Sequence, residues 1–249
     1  MDTNVIIAFA LTLFAGLSTG IGSVLACLYK HTNTKLLSVA LGFSAGVMIY
    51  ISFMEILPEA NESLTEFYGS KTGSWVALTA FFGGMLVVTL IDKMVPSYEN
   101  PHEFHQIEEL SQEAKRNGNL QRLGVLSAIA IAVHNFPEGI ATFMSSYSDI
   151  ELGLPIAIAV AIHNIPEGIA VSVPIYYATQ SRKKAFRLSF LSGMSEPLGA
   201  IIAFLILMPF LNGLVMGITF GAVAGIMVFI SLDELLPAAG EYGEHHLSL

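Results

Sequence analysis

The segment His134-Asn135-Phe136-Pro137-Glu138-Gly139 recurs as His163-Asn164-Ile165-Pro166-Glu167-Gly168, changed only at its third residue. Both copies lie inside apolar runs, roughly 123–146 and 153–178. Each run is long enough for a membrane helix, which needs about 20 largely apolar residues. An imidazole and a carboxylate at that depth are costly, and ionisable groups within a span point by default to function. Residues four apart on a helix share one face, so His134 projects with Glu138 and His163 with Glu167. Asn135 and Asn164 are turned by about 100° from their histidines, at the edge of that face. Pro137 and Pro166 lack the N–H that the carbonyls of Val133 and Ile162 would accept, leaving polar lining beside each histidine. Gly139 and Gly168 allow a second helix to come close.

Further apolar runs at about 5–28, 36–58, 74–95, 187–209 and 213–238 bring the expected spans to seven. The fold class is an all-α polytopic membrane protein, a helix bundle in one transmembrane domain covering 1–249. Composition agrees: 53% of residues are hydrophobic and 12% charged, and the mean hydropathy is +0.65. Soluble domains carry about 25% charged residues. A net charge of −9 gives no nucleic-acid signature, which wants clustered Lys and Arg. One cysteine, Cys27, rules out an intramolecular disulfide framework and a four-cysteine zinc site. The start, Met1-Asp2-Thr3-Asn4, is acidic where a cleavable signal is basic, so the first run reads as a retained span. The one long connection, 96–122, is polar and has a helical pattern from about Phe104 to Arg116.

Lys and Arg placement sets the expected orientation. Lys30, Lys35, Lys93, Lys115, Arg116, Arg122, Arg182, Lys183, Lys184 and Arg187 all fall on one side, which is therefore cytoplasmic. Lys71 stands alone on the other, among Glu59, Glu62 and Glu66, with Asp149 and Glu151 nearby. The N-terminus is expected outside, on the periplasmic face of an inner membrane, and 96–122 is a cytoplasmic loop. The acidic outer loops suit cation steering, but any outer loop also needs polar residues. Trp75, Tyr68, Tyr98 and Tyr147 fit interfacial anchors in contact with lipid.

A second repeat frames the first. GFSAGVMIYISFMEILPEA from Gly42 to Ala60 matches GAVAGIMVFISLDELLPAA from Gly221 to Ala239, and AGLSTGIGS at 15–23 more weakly matches SGMSEPLGA at 192–200. Spans one and two therefore resemble spans six and seven. The paired spans run in opposite directions, so both repeats are inverted about an axis in the membrane plane. Transporters built this way hold substrate near the midplane at the repeat interface.

Imidazole with carboxylate suits Zn²⁺ and neighbouring divalent metals, and amide oxygens tolerate harder ions. Glu138 and Glu167 facing each other repel unless a cation or shared protons intervene. Glu196 lies at similar depth in span six, where a lipid-facing carboxylate costs roughly 2.5–3.5 kcal/mol. Met48 is mid-span in the second, where methionine is ordinarily core filler. Nearer the ends, Glu55 and Glu59 on the outer side and Asp233 and Glu234 on the inner are entrance and exit candidates. Asp92 beside Lys93 reads as an interfacial charge, and His102, Glu103, His105, His245 and His246 as solvated polar residues.

The doubled HNxPEG segment resembles the ZIP (Zrt/Irt-like) divalent-metal transporters, and in its short loops their bacterial ZupT-type branch. The resemblance covers essentially the whole chain. It implies eight helices, two inverted triplets flanking a central pair with a binuclear metal site; seven are visible here, and the last is expected to be missing. It implies one site at His134, Glu138, His163 and Glu167, with Met48 matching a methionine of some members. The other would use Asn135, Glu138, Asn164, Glu167 and Glu196, the two bridging glutamates being shared. It implies uptake of zinc, with iron, cobalt, manganese or cadmium also accepted, Zn²⁺ and Fe²⁺ being bound as transported ions with no catalytic cofactor. A second copy of the chain is a candidate partner. The alternatives are a passive metal channel, a proton-coupled carrier of organic cations and a membrane-embedded di-metal enzyme. Against the enzyme stands the lack of any HExxH and the lack of need for inverted symmetry.

Overall fold

The computed structural model describes residues 3–28, 34–94 and 120–241, and their regular structure is helical. Span one is α1 (Thr3–Leu28). Span two is α2 (Thr34–Ile51), a π-helical turn (Ser52–Ile56) and α3 (Leu57–Tyr68) in one rod. Span three is α4 (Ser70–Met94), span four α5 (Leu120–Ser148) and span five α6 (Ile150–Thr179). Span six joins α7 (Arg182–Gly193) to α8 (Ser195–Ile202), followed by a π-helical turn (Ala203–Leu207). Span seven is α9 (Gly213–Ile230), a π-helical turn (Ser231–Leu235) and α10 (Leu236–Glu241). Thr3–Ala26, Ser38–Tyr68, Ser70–Ile91, Ile150–Tyr177, Arg182–Phe210 and Gly213–Gly240 are long and apolar enough to cross a membrane. At 29 residues, α5 is a seventh helix of that length. The helical pattern at Phe104 to Arg116 and residues Lys30, Tyr98, His102, Glu103, His105, Lys115, Arg116, His245 and His246 lie outside the described residues.

Two readings are sharpened. Span two does not stop near residue 58 but runs to Tyr68, carrying Glu59, Glu62 and Glu66 on the helix, and turns at Gly69 with φ 82. Positive φ suits a residue without Cβ, so the connection to α4 shrinks to one glycine. Span six is bent at Met194, because Pro197 has no N–H for the carbonyl of Gly193. By contrast α5 and α6 run unbroken through Pro137 and Pro166. Their neighbours hold them straight.

The inverted repeat is visible in reciprocal contacts. A Cβ on Gly22 would lie 1.9 Å from the Ile165 carbonyl oxygen and one on Gly168 2.0 Å from that of Thr19, so α1 and α6 cross backbone to backbone. The matching positions of the other half repeat this: a Cβ on Gly199 would lie 2.3 Å from the Phe136 oxygen and one on Gly139 2.1 Å from that of Glu196. Gly16 and Gly193, equivalent in the repeat, each abut the other's carbonyl (2.6 and 2.5 Å), so spans one and six meet at the axis itself. Ser52 and Ser231, which open equivalent π-helical turns, donate to the carbonyls of Met48 and Met227 at 2.7 and 2.8 Å. Without a hydrophobic drive between helices in lipid, such close backbone packing holds the bundle together.

Beyond marginal contacts, α1, α5, α6, α7 and α8 pack on one another, and spans two, three and seven form a second group. The groups join through α2 on α6 and α9 on α5, which are counterparts under the same axis. The doubled motif faces that junction.

Candidate metal centre

α5 and α6 bring the two motif copies together as antiparallel neighbours, and their polar side chains are buried: Asn135, Glu138, His163, Asn164 and Glu196 are fully inaccessible. His163 Nε2 lies 3.0 Å from Glu167 Oε1, one turn along its own helix, and 3.6 Å from Glu138 Oε1 across the pair. Glu138 therefore reaches the other copy, as an inverted arrangement requires. With its amide turned to donate, Asn135 Nδ2 reaches Glu167 Oε2 at 2.9 Å and the Ile131 carbonyl at 3.0 Å. Asn164 Nδ2 donates to the Ala15 carbonyl at 2.9 Å and to Glu196 Oε1. The bend before Ser195 and the close crossing at Gly139 set Glu196 beside the pair.

Both oxygens of Glu138, Glu196 Oε2 and Asn164 Oδ1 are buried without a hydrogen-bond partner. Buried carboxylate oxygens short of hydrogen bonds are disfavoured, and a bound cation relieves them. All these atoms are oxygens, next to imidazole nitrogens, which is a donor set for divalent ions of borderline softness. Among the described residues no three His, Cys, Asp or Glu side chains stand as a ready-made coordination shell. Imidazoles and carboxylates now pair with each other, so an ion has to replace those pairs.

Glu234, the inner exit candidate, joins the cluster: its Oε1 lies 3.0 Å from His134 Nε2 and its side chain is 10% exposed. The π-helical turn at Ser231–Leu235 inserts an extra residue in the helical cycle and so re-aims the side chains after it. Its repeat counterpart Glu55 and the outer Glu59 are half-buried, and Asp233 is exposed. Met48 is fully buried within the apolar core.

Sequence reasoning missed Ser44. Its hydroxyl lies 2.8 Å from His163 Nδ1, in a fully buried contact from α2. A hydrogen bond on one ring nitrogen fixes the imidazole plane and leaves the other nitrogen for a ligand. The signal was present, since Ser44 stands one turn before Met48 on the face that carries it.

The chain was compared with known proteins. The family model described as ZIP Zinc transporter matches residues 3–121 and 98–248. A zinc transporter ZupT of Streptococcus mutans is 61% identical over 249 residues, covering 100% of this chain and 93% of the relative. Those of Oceanobacillus iheyensis and Chlorobium chlorochromatii are 60% and 58% identical, covering 99% and 100% of this chain and 92% and 93% of their own length. The relatives match it from end to end at this identity, so the chain belongs to the ZIP zinc transporter family, a family of transporters and not enzymes.

Proposed function

We propose that the protein takes divalent metal ions, Zn²⁺ foremost and Fe²⁺, Mn²⁺, Co²⁺ or Cd²⁺ besides, into the cytoplasm across the bacterial inner membrane. The observation that carries this is the buried cluster of Glu138, Glu167 and His163 at the crossing of two inverted helices, with carboxylate oxygens left without partners. The relatives named as zinc transporters support the choice of ion.

In this reading one ion is held by His134, His163, Glu138 and Glu167, with Met48 as a further ligand. A second is held by Asn135, Asn164 and Glu196 together with the same two glutamates. Glu138 and Glu167 belong to both sites, because a single divalent charge does not balance three buried carboxylates. Like charges about 4 Å apart repel by about 4 kcal/mol at an effective dielectric of 20. Ligand carboxylates and imidazoles bind metal only when deprotonated, so protons leave as the ion enters. An inside-negative potential adds about 4.6 kcal/mol per 100 mV of inward drive for a doubly charged ion, twice the value for one charge.

The junction between the two helix groups supports alternating access. Sliding α5 and α6 against α2 and α9 opens the site first to one side and then to the other. Glu55 and Glu59 would guide the ion in, and Asp233 and Glu234 would take it out.

The test is radiometal uptake into proteoliposomes by the wild type, Glu138→Ala and Glu167→Ala. Both variants are expected to lose at least 90% of Zn²⁺ uptake while remaining folded, an effect of about tenfold or more as for other metal-ligand losses. Wild-type uptake in either variant sinks the site assignment.

A further inference from the structure

Span four carries polar groups that the metal centre does not use. Above Glu138 on α5 stand Thr142, Ser145 and Ser146, and Asp149 follows the helix end. Positions 138, 142, 145 and 149 are spaced so that they stay on one helix face. At 1.5 Å per residue the stripe rises about 16 Å, half the thickness of the hydrocarbon layer.

All three hydroxyl oxygens are buried without a hydrogen-bond partner. Thr12, Ser18, Ser52, Thr79, Thr89, Thr179 and Ser231 each donate to the carbonyl one turn back, whereas Thr19 on α1 shares the want of a partner. That local bond is the usual resort of a hydroxyl in a membrane helix, and Thr142, Ser145 and Ser146 do not make it.

The repeat supplies an internal control. The equivalent positions on α6 are Val171, Pro174 and Ile175, with Val171 and Ile175 fully buried in an apolar cluster. At Val171 and Ile175 this place is filled by methyl groups, whereas Thr142 and Ser146 put oxygen there in the copy that points toward the acidic end. There Glu59, Glu62 and Glu66 on α3 and Asp149 in the turn between α5 and α6 stand at the same end of the bundle, an acidic mouth.

We propose that Thr142 and Ser145 line the outer leg of the cation path, offering hydroxyl oxygens to a divalent ion that has shed part of its water between the Glu59–Asp149 mouth and Glu138, while Ser146 packs against Gly153 of α6. Neutral oxygens suit a passage: they replace lost water without the tight hold of a carboxylate, so the ion moves on. The inference rests on the transport reading above.

Two experiments test it. In proteoliposomes, the double variant Thr142→Val, Ser145→Ala is expected to lower the maximal Zn²⁺ uptake rate at least tenfold, while equilibrium Zn²⁺ binding measured calorimetrically stays within twofold. Separately, Ser145→Cys in a Cys27→Ser background is expected to react with a charged, impermeant thiol reagent applied from outside, more slowly in saturating Zn²⁺. Wild-type uptake by the double variant, or modification of position 145 from the cytoplasmic side alone, overturns the proposal. Should the double variant fail to fold, the cysteine readout decides. If Glu138→Ala loses uptake and the double variant does not, the outer path fails and the metal centre stands. If Glu138→Ala transports normally, the transport site itself is wrong.

Discussion

Gly139→Ala is the most direct perturbation of the centre that leaves every proposed ligand in place. The added Cβ would lie 2.1 Å from the Glu196 carbonyl oxygen, and 2.6 Å from that residue's carbonyl carbon and Cα. Carbon and oxygen without a hydrogen bond pack no closer than about 3 Å, so α5 and α8 must part by about 1 Å. Neither side can yield by a rotamer change, since the obstacle is backbone. Overpacking of this kind typically costs about 1–3 kcal/mol, and occasionally more. The geometric effect is larger than the energetic one. Glu138, next to Gly139, and Glu196 would separate by a distance several times the roughly 0.2 Å tolerance of a metal–ligand bond.

The assay pairs thermal unfolding of purified protein in detergent with ⁶⁵Zn uptake normalised to reconstituted protein. Gly139→Ala is expected to lower the melting temperature by several degrees, as a loss of about 1–3 kcal/mol does. It is also expected to cut uptake at least tenfold. Gly46→Ala is the control, because a Cβ there meets nothing within 4 Å. It removes a flexible residue from a helix and should be neutral or stabilising by up to about 1 kcal/mol. Wild-type stability and uptake in Gly139→Ala, or equal losses in both variants, would refute the claim that this crossing sets the geometry.

Two further outcomes follow from side chains that touch the motif. Ser44→Ala, which removes the partner 2.8 Å from His163 Nδ1, should weaken Zn²⁺ binding by about 10-fold, the lower end for lost outer-shell partners, with Ser44→Thr restoring most of it; equal affinities in Ser44→Ala and wild type, by calorimetry, would count against it. Glu234→Gln, which neutralises the partner 3.0 Å from His134 Nε2, should lower the maximal uptake rate several-fold without raising KM, because the carboxylate competes with the departing ion for that imidazole; a raised KM with an unchanged maximal rate would show that Glu234 serves capture and not release.

The sequence by itself determined which segments are helices in a membrane, since a run of about 20 apolar residues has no other way to satisfy its backbone in lipid. It also determined that His134 shares a face with Glu138 and His163 with Glu167, because that follows from helical periodicity alone. The inverted axis was legible too: Gly16 matches Gly193 and the two meet each other, while Gly22 matches Gly199 and the two make equivalent contacts on α6 and α5. Only the tertiary structure decided which group stands opposite which. Glu234 meets His134 from within a π-helical turn that both copies of the ISxxExLP segment form, and the partner it meets there is set by packing. Ser44 meets His163 and Glu196 meets Asn164 because helices distant in sequence pack together in the bundle. Spacing along one helix is fixed by its own hydrogen bonds; rotation and register between helices are fixed by their packing, which belongs to the whole bundle. The doubled stretch carries the candidate ligands, and the packing of α5 on α6 brings its two copies together.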